Sequence, residues 1–261
     1  MTDPIKYFAS RVSAHEMNRR EFIGRSMAAG LTLAAATSLY GKSAMAQEPK
    51  RGGHLKLGLQ GGSSTDVIDP AKSSSQFTFA MNRNWGDTLV ESHPTSGLAV
   101  PALAESWEPN ADASVWTFKI RKGVEFHNGS ELTIDDVIKT LNRHTDEKSE
   151  SGALGVLGSI KGIENKGGDL VITLSEGNAD LPLLLSDYHL VIQPGGGYDD
   201  PSSGIGTGPF KVDNFEAGVR ATFVKNENDW RSDRGYVDSV EMIVMNDATA
   251  RMAALSSGQV H

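Results

Sequence analysis

Two adjacent carboxylates, Asp135 and Asp136, are the residues whose types and spacing most readily suggest acid–base chemistry. Two carboxylates in different environments can serve as an acid and a base. Thr133, however, stands three residues before Asp136, which is the spacing of a capping box at the start of a helix, with Asp in place of the usual Glu. Acidic residues also suit the positive end of a helix dipole. The pair therefore predicts a helix start rather than a catalytic site.

The common catalytic and metal-binding motifs are absent from the sequence. It contains no HExxH zinc motif and no GxSxG nucleophile elbow. The histidines after residue 46 are never four residues apart, and there is no cysteine. We therefore predict that the chain has no catalytic residues, no metal site and no cofactor.

Two glycine-rich segments could hold a ligand. The first follows a predicted strand over residues 52–59, where leucines alternate with polar residues or glycine. This segment consists of Gln60, Gly61, Gly62, Ser63, Ser64 and Thr65. No Gly-Lys-Ser/Thr follows, so it is not a phosphate-binding Walker loop. Its main-chain N–H groups and hydroxyls either bind another ligand or belong to a plain surface loop.

The second glycine-rich segment, Gly204–Gly208, superficially matches a dinucleotide-binding fingerprint. It precedes Pro209 and a strand pattern, so no helix N-terminus would point at a pyrophosphate. We interpret it as a sharp turn, which glycine permits.

The periodicity of apolar residues defines the elements that must position these segments. Helices are predicted over residues 76–92, 133–143 and 248–256. Strands are predicted over residues 52–59, 115–121, 170–174, 188–192, 210–215, 219–225 and 237–245. The alternation is irregular and several strands follow each other as hairpins, which favours an α/β (mixed α+β) fold over a parallel doubly wound sheet.

The N-terminus has the composition of an export signal. Arg19 and Arg20 are followed by Phe22, then by a mild apolar stretch over residues 27–39, and Ala44 and Ala46 form an A-x-A cleavage site. The arginine pair resembles the twin-arginine export motif. Residues 1–46 are therefore predicted to be a twin-arginine signal peptide, with Met1 or Met17 as its start; the alternative is an amphipathic N-terminal helix of the mature protein.

The remaining chain is acidic. The formal net charge is −8, and it becomes −11 without the first 46 residues. Binding to nucleic acid needs a basic surface, so a nucleic-acid partner is excluded.

Three groups of motifs lie in order along the chain. They are Ala104–Trp107 with 116–129 and 132–137, then Gly206–Phe210, then Asp247–Arg251 with Ala254, Leu255 and Gly258. In type, order and spacing they resemble the peptide/nickel group of bacterial extracellular solute-binding proteins, family 5. Asn128 and His261 stand where the family frequently has Asp.

The resemblance implies a periplasmic-binding-protein-like II fold, of which this chain would be the first lobe with its extra subdomain. Residues 47–75 and 200–261 would form the hinge-bearing subdomain, and residues 76–199 the extra subdomain. Members of the family have two lobes and are about twice as long, so we expect the second lobe to be absent from this chain and the chain to be truncated.

The function that the resemblance implies is capture of a solute in the periplasm and delivery to an inner-membrane ABC permease. The solute would be a peptide, or else a nickel complex, a sugar or another small solute, enclosed by the closing lobes. Gln60–Thr65 would contribute to its binding, and Tyr188 and His189 are further candidates. If each lobe supplies half of a micromolar binding energy of about 8 kcal/mol, this lobe alone would bind only at millimolar concentrations. The alternative function is that of an exported hydrolase.

Overall fold

The computed structural model describes residues 4–13, 17–45, 49–146 and 148–261. The chain divides into two compact units, residues 1–51 and residues 52–261.

The described residues of the N-terminal unit form three helices: α1 (Pro4–Ser13), α2 (Arg19–Ala28) and α3 (Leu33–Met45). The side chain of Asn18 caps α2 by accepting a hydrogen bond from the N–H of Glu21 at 3.0 Å. Arg19 and Arg20 are exposed in the first turn of α2. Within the described residues, no helix is both long enough and apolar enough to cross a membrane. Ala44 lies near the end of α3, whereas Ala46 is outside the described residues.

The first sheet of the second unit has four strands in the order β1, β10, β9, β8. Strands β1 and β10 are parallel, and the other neighbours are antiparallel. The strand bounds are β1 (His54–Leu59), β8 (Phe210–Glu216), β9 (Arg220–Lys225) and β10 (Ser239–Val244). Each of these strands was predicted from the sequence, and each prediction is confirmed to within two residues at either end.

The second sheet is antiparallel throughout, in the order β4, β5, β7, β6. The bounds are β4 (Ala104–Pro109), β5 (Val115–Ile120), β6 (Ile160–Lys166) and β7 (Asp169–Leu174), beside a short hairpin of β2 (Val90–Ser92) and β3 (Ala99–Pro101). Trp116 and Phe118 of β5 are 5% and 0% exposed, which confirms that the alternating pattern places both in the core.

Four α-helices are described in this unit: α4 (Gln76–Trp85), α5 (Ile134–Thr145), α6 (Leu181–Leu184) and α7 (Ala248–Ser256). The capping box at α5 is confirmed, since Thr133 Oγ1 accepts from the N–H of Asp136 at 3.2 Å and Asp136 Oδ2 accepts from the N–H of Thr133 at 2.9 Å. The bounds predicted for α7 are also confirmed, with Asp247 as its cap.

Helix α4 ends seven residues before its predicted end, so the prediction of a helix over residues 76–92 is wrong in its second half. Gly86 is extended, with φ −133° and ψ 153°, and the side chain of Val191 fills the space that a Cβ at this position would need. The carbonyl of Trp85 accepts from the N–H of Gly208 at 3.0 Å, a tertiary partner in place of the helical one four residues on. Tertiary contacts therefore stop the helix where its periodicity alone would let it continue.

The predicted strand over residues 188–192 is also wrong. The N–H of Leu190 turns back to the carbonyl of Asp187 at 3.0 Å, and the N–H of Ile192 reaches the carbonyl of Asp87, not a strand, at 3.0 Å. Leu190, Val191 and Ile192 are buried, so their apolar character reflects burial between elements rather than a place in a sheet.

Each four-stranded sheet has its own apolar core. The face of α4 formed by Phe77, Met81 and Trp85 packs on the first sheet, against Phe223 and Met242 among others. The second core contains Phe118 and Ile172 of the second sheet together with Val137 and Leu141 of α5. The division into subdomains at residues 75 and 200 stays a prediction.

Candidate ligand-binding site

The parallel pairing of β1 with β10 brings the carboxyl ends of both strands to one edge of the first sheet. Gln60–Thr65 follows β1 at this edge, and Asn246 follows β10 just before α7. Open sheets with parallel strands bind their ligands in the crevice outside the carboxyl ends of those strands. The topology thus places the predicted loop where a ligand would be expected.

The loop is held by the protein's own hydrogen bonds. The N–H of Gly61 donates to Asn246 Oδ1 at 2.8 Å, and Asn246 Nδ2 donates to the carbonyl of Gly62 at 3.0 Å. The N–H of Ser63 donates to Asp66 Oδ2 at 2.8 Å. A Cβ at Gly62 would overlap the side chain of Val244, so only glycine fits there. The loop is therefore preformed, and it exposes the side chains of Gln60, Ser63, Ser64 and Thr65.

Gln60 links this loop to both neighbouring helices. Its Nε2 donates to Gln76 Oε1 of α4 at 2.7 Å, and its Oε1 accepts from Arg251 Nη2 of α7 at 3.1 Å. Arg251 Nη1 also donates to the carbonyl of Met245 at 2.6 Å. A guanidinium and two amides are consequently fixed side by side at the edge of the sheet.

Tyr188 packs against the face of α4 that carries Gln76. Its ring stacks on that of Phe79, with ring centroids 3.8 Å apart. Gln76, Phe79 and Arg83 follow one another at i, i+3 and i+7, which places them on one face of α4, opposite its apolar face. Gln76 and Phe79 are separated by a rise of about 4.5 Å along the helix. Two separately predicted parts of the site, the loop and Tyr188, thus meet along one face of α4.

His189 was a further candidate for ligand binding, but its side chain is buried and bonds within the protein. It is 5% exposed, its Nδ1 lies 2.6 Å from Asp187 Oδ1, and its Nε2 lies 2.9 Å from the carbonyl of Ser73. Burial acts to raise the pKa of the Asp187 carboxyl, but the hydrogen bonds from His189 outweigh it and hold that pKa below its ordinary value. Both ring nitrogens are therefore engaged within the protein, and His189 anchors the Tyr188 segment beside the start of α4.

The structure adds five polar or aromatic residues that the sequence reasoning did not select: Gln76, Phe79, Arg83, Asn246 and Arg251. A signal for the first three was available, because they recur on the polar side of a predicted amphipathic helix. Asn246 and Arg251 depend on the parallel pairing of β1 with β10, for which the sequence gives no local sign.

A buried ion cluster fixes the chain just after α4. Asp87 accepts hydrogen bonds from Arg234 Nη2, Thr207 Oγ1 and Trp230 Nε1, each at 2.9 Å. Burial alone would lower the pKa of Arg234, but its hydrogen bonds to Asp87 and Asp229 raise it above its ordinary value. Arg234 therefore stays charged, and the cluster holds the end of α4 in place.

The carboxylates that could have suggested catalysis have structural roles. Besides its capping bonds, Asp136 accepts through Oδ1 from the N–H of Gly195 at 2.7 Å. His144 and Ser151 form a Ser–His pair, 2.6 Å from Nδ1 to Oγ, but both are buried and no described group hydrogen-bonds to His144 Nε2. Among residues 4–13, 17–45, 49–146 and 148–261, no three His, Cys, Asp or Glu side chains are grouped so that they could hold a metal ion.

His144 should make the stability of the chain depend on pH. Burial, with a smaller contribution from the charge of Arg143, lowers the pKa of this ring from 6.5 to about 4. The unfolded chain therefore binds the proton more readily, so stability is intact above pH 6.5 and falls as the pH decreases towards 4. We expect this group to account for a loss on the order of 3 kcal/mol.

Urea unfolding at pH 7 and near pH 4 measures this effect, in the chain and in His144→Gln, with the exposed His93→Gln as the control. The pH-dependent loss should shrink in His144→Gln and persist in His93→Gln. An equal loss in all three proteins would contradict the role given to His144.

Comparison with known proteins places the chain in a family. Residues 99–261, which are more than half of the chain, match the family described as bacterial extracellular solute-binding proteins, family 5 middle. Di/tripeptide-binding protein 2 of Pseudomonas aeruginosa is 27% identical over 217 residues, covering 72% of this chain and 41% of that protein.

Solved structures agree with the sequence match. The binding protein AgaA of A. tumefaciens R10, in complex with agropinic acid, has a TM-score of 0.73 and 29% identity, over 80% of this chain and 43% of that one. The ABC transporter-associated periplasmic binding protein DppA of Helicobacter pylori, in complex with the peptide STSA, has a TM-score of 0.73 and 25% identity, over 83% of this chain and 47% of that one. The chain thus spans less than half the length of these relatives. Its predicted fold, that of a periplasmic binding protein, is confirmed, and the chain belongs to the family 5 bacterial extracellular solute-binding proteins.

Proposed function

We propose that the protein to which this chain belongs is the solute-binding component of an ABC importer, which captures a peptide or a related small solute in the periplasm and delivers it to the membrane permease. The observation that carries the proposal is the polar surface at the carboxyl ends of β1 and β10, continuous along α4 with the stacked rings of Phe79 and Tyr188. We call this surface the rim; it comprises Gln60–Thr65, Gln76, Phe79, Arg83, Tyr188, Asn246 and Arg251.

The rim suits a ligand with amide groups and an apolar part. Amide and guanidinium groups at Gln60, Gln76 and Arg251 can exchange hydrogen bonds with carbonyl, amide or carboxylate groups of a ligand. Recognition of an extended peptide main chain in this way is independent of its side chains. The ring face at Tyr188 offers apolar contact beside these polar groups. Binding of this kind requires no covalent step.

A trialanine titration followed by amide NMR tests the rim directly. If this surface supplies about half of a micromolar binding energy of roughly 8 kcal/mol, the dissociation constant should be about 1 mM or weaker. We expect saturable shifts in residues 60–65, around Phe79 and Tyr188, and in residues 246–251, and a weaker affinity in Gln76→Ala. Asn142→Ala, which removes an exposed amide from α5, is the control and should bind unchanged.

Shifts confined to the second sheet would contradict the proposed site. Micromolar binding would show instead that the site is complete within residues 47–261, and it would overturn the account in which two lobes share the ligand.

We also propose that the protein is exported by the twin-arginine translocase. Arg19 and Arg20 are exposed at the start of α2, where a receptor could read both guanidinium groups. Replacing both by lysine keeps the charge but removes the guanidinium geometry. In a bacterium with this translocase, the double variant should remain uncleaved in the cytoplasm.

Cell fractionation and N-terminal sequencing measure this outcome, and the exported form should begin at Gln47. Arg25→Lys, five residues after Arg20 in the same helix, is the control and should be exported. Normal export of the double variant would exclude the twin-arginine route.

A further inference from the structure

A groove unrelated to the rim opens on the second sheet. It has a volume of about 380 Å³ and lies between the β2–β3 hairpin, strands β4 and β5, and the segment that leads into α6. The side chains that give it its character are Leu98, Trp107, Trp116, Asp180, Pro182 and Leu183.

The wall of the groove is aromatic and fixed. Trp116 Nε1 donates to the carbonyls of Ala113 and Asn178 at 3.1 and 3.2 Å, which holds the indole ring in one orientation. The rings of Trp107 and Trp116 each lie 6.2 Å from that of Phe118, between centroids, so one buried ring supports both. Two indole groups therefore border the groove on neighbouring strands, and because Trp116 is only 5% exposed while Trp107 is half-buried, Trp107 offers the larger surface to a ligand.

The lining of this groove includes two exposed apolar side chains. Leu98, between β2 and β3, is 68% exposed, and Leu183 of α6 is 39% exposed; both line the groove. Large side chains at this exposure gain from contact with an apolar group.

One negative charge faces this apolar surface. Among the described residues that line the groove, Asp180 alone is charged. Its main-chain N–H donates to Asn178 Oδ1 at 2.9 Å, but its carboxylate does not cap α6, and no described side chain forms an ion pair with it. The carboxylate is thus available to a ligand.

We propose that this groove binds a small organic cation that carries an apolar group, such as a quaternary ammonium compound. Indole rings attract cations to their faces, and quaternary ammonium groups are recognised in proteins by aromatic side chains of this kind. Asp180 supplies the opposite charge, while Leu98 and Leu183 cover the apolar part. An anion of the same size would meet the Asp180 carboxylate and be repelled. The proposal does not rest on the function proposed for the rim.

Benzyltrimethylammonium is the probe, and benzenesulfonate is its counterpart of opposite charge. Binding is followed by the indole N–H signals of Trp107 and Trp116 in NMR spectra of the whole chain. We expect saturable shifts of both signals with the cation and none with the anion. Asp180→Asn should weaken the binding of the cation about tenfold, a change that corresponds to about 1.4 kcal/mol. Asp199→Asn, which removes an exposed carboxylate elsewhere, should leave it unchanged.

Because Asp180 is exposed, its replacement should not affect folding, and Leu98→Ser provides a second exposed variant that should also weaken binding. Absence of a saturable shift, equal binding of the anion, or equal binding by Asp180→Asn would each overturn the proposal. Indole shifts that depend on protein concentration without ligand would also overturn it, because they would show a second copy of the chain in the groove.

Discussion

Replacing Asp87 by alanine is expected to lower the free energy of unfolding by about 3–5 kcal/mol, the cost of removing one partner of a buried ion pair. The side chains of Asp87 and Arg234 are 4% and 16% exposed, so solvent cannot replace the lost carboxylate. Of the carboxylates that pair with Arg234, the variant would leave Asp229, and it would also remove the acceptor of Thr207 Oγ1 and Trp230 Nε1. An unpaired buried donor carries its own desolvation cost.

Asp233→Ala is the matched control within the same group of charges. Asp233 pairs with Arg231 at 2.9 Å, but its side chain is 66% exposed. Exposed pairs contribute about 0–1 kcal/mol, so this variant should lose little. Urea unfolding of both variants gives the comparison. Similar losses in the free energy of unfolding would show that the Asp87 ion pair contributes no more than an exposed one.

The Asp87 cluster also illustrates why part of the fold could not be predicted from the sequence. Asp87 and Arg234 are separated by 147 positions, and no local sequence pattern around either residue indicates that the two form an ion pair. The same contact helps to decide where α4 ends, since residues 86–88 must leave the helix to bring the carboxylate to Arg234. Amphipathic periodicity continues past Trp85, so a reading based on periodicity extends the helix too far.

Elements whose signals are local were predicted well. The cap at Thr133 is made by residues three positions apart, and α7 has its capping residue and its terminating glycine in adjacent sequence. Alternation alone identified β5 and its buried face. By contrast, the segment over residues 188–192 is apolar because it is enclosed between the two cores. An apolar run of this length looks like a buried strand in the sequence.

The candidate site likewise has a part that local sequence predicts and a part that depends on distant contacts. The loop Gln60–Thr65 could be selected from its composition and its place after a strand. The partners that give it a shape, Gln76, Asn246 and Arg251, come from segments 16 to 191 positions away. Only the parallel pairing of β1 with β10 brings Asn246 and Arg251 to the edge where the loop lies, and this pairing results from the fold as a whole.

Truncation of Phe118 to alanine is expected to destabilise the chain by about 3–5 kcal/mol, through lost burial and the cavity left behind. Phe118 is 0% exposed on β5, where it pairs in register with Leu170 of β7 and Trp107 of β4. Its ring supports the indoles of both Trp107 and Trp116. Neighbours held in two strands cannot collapse easily into the space, which favours the upper part of this range.

The adjacent residue provides the control, because successive side chains of a strand point to opposite faces. Lys119 is exposed, and Lys119→Ala should change stability by about 0.5 kcal/mol or less. Trp116→Ala, on the same face as Phe118, should resemble Phe118→Ala. Urea unfolding of the three variants tests the assignment of faces. A loss below about 1 kcal/mol for Phe118→Ala, against the 3–5 kcal/mol typical of a buried aromatic ring, would mean that the buried face of β5 is not the one described.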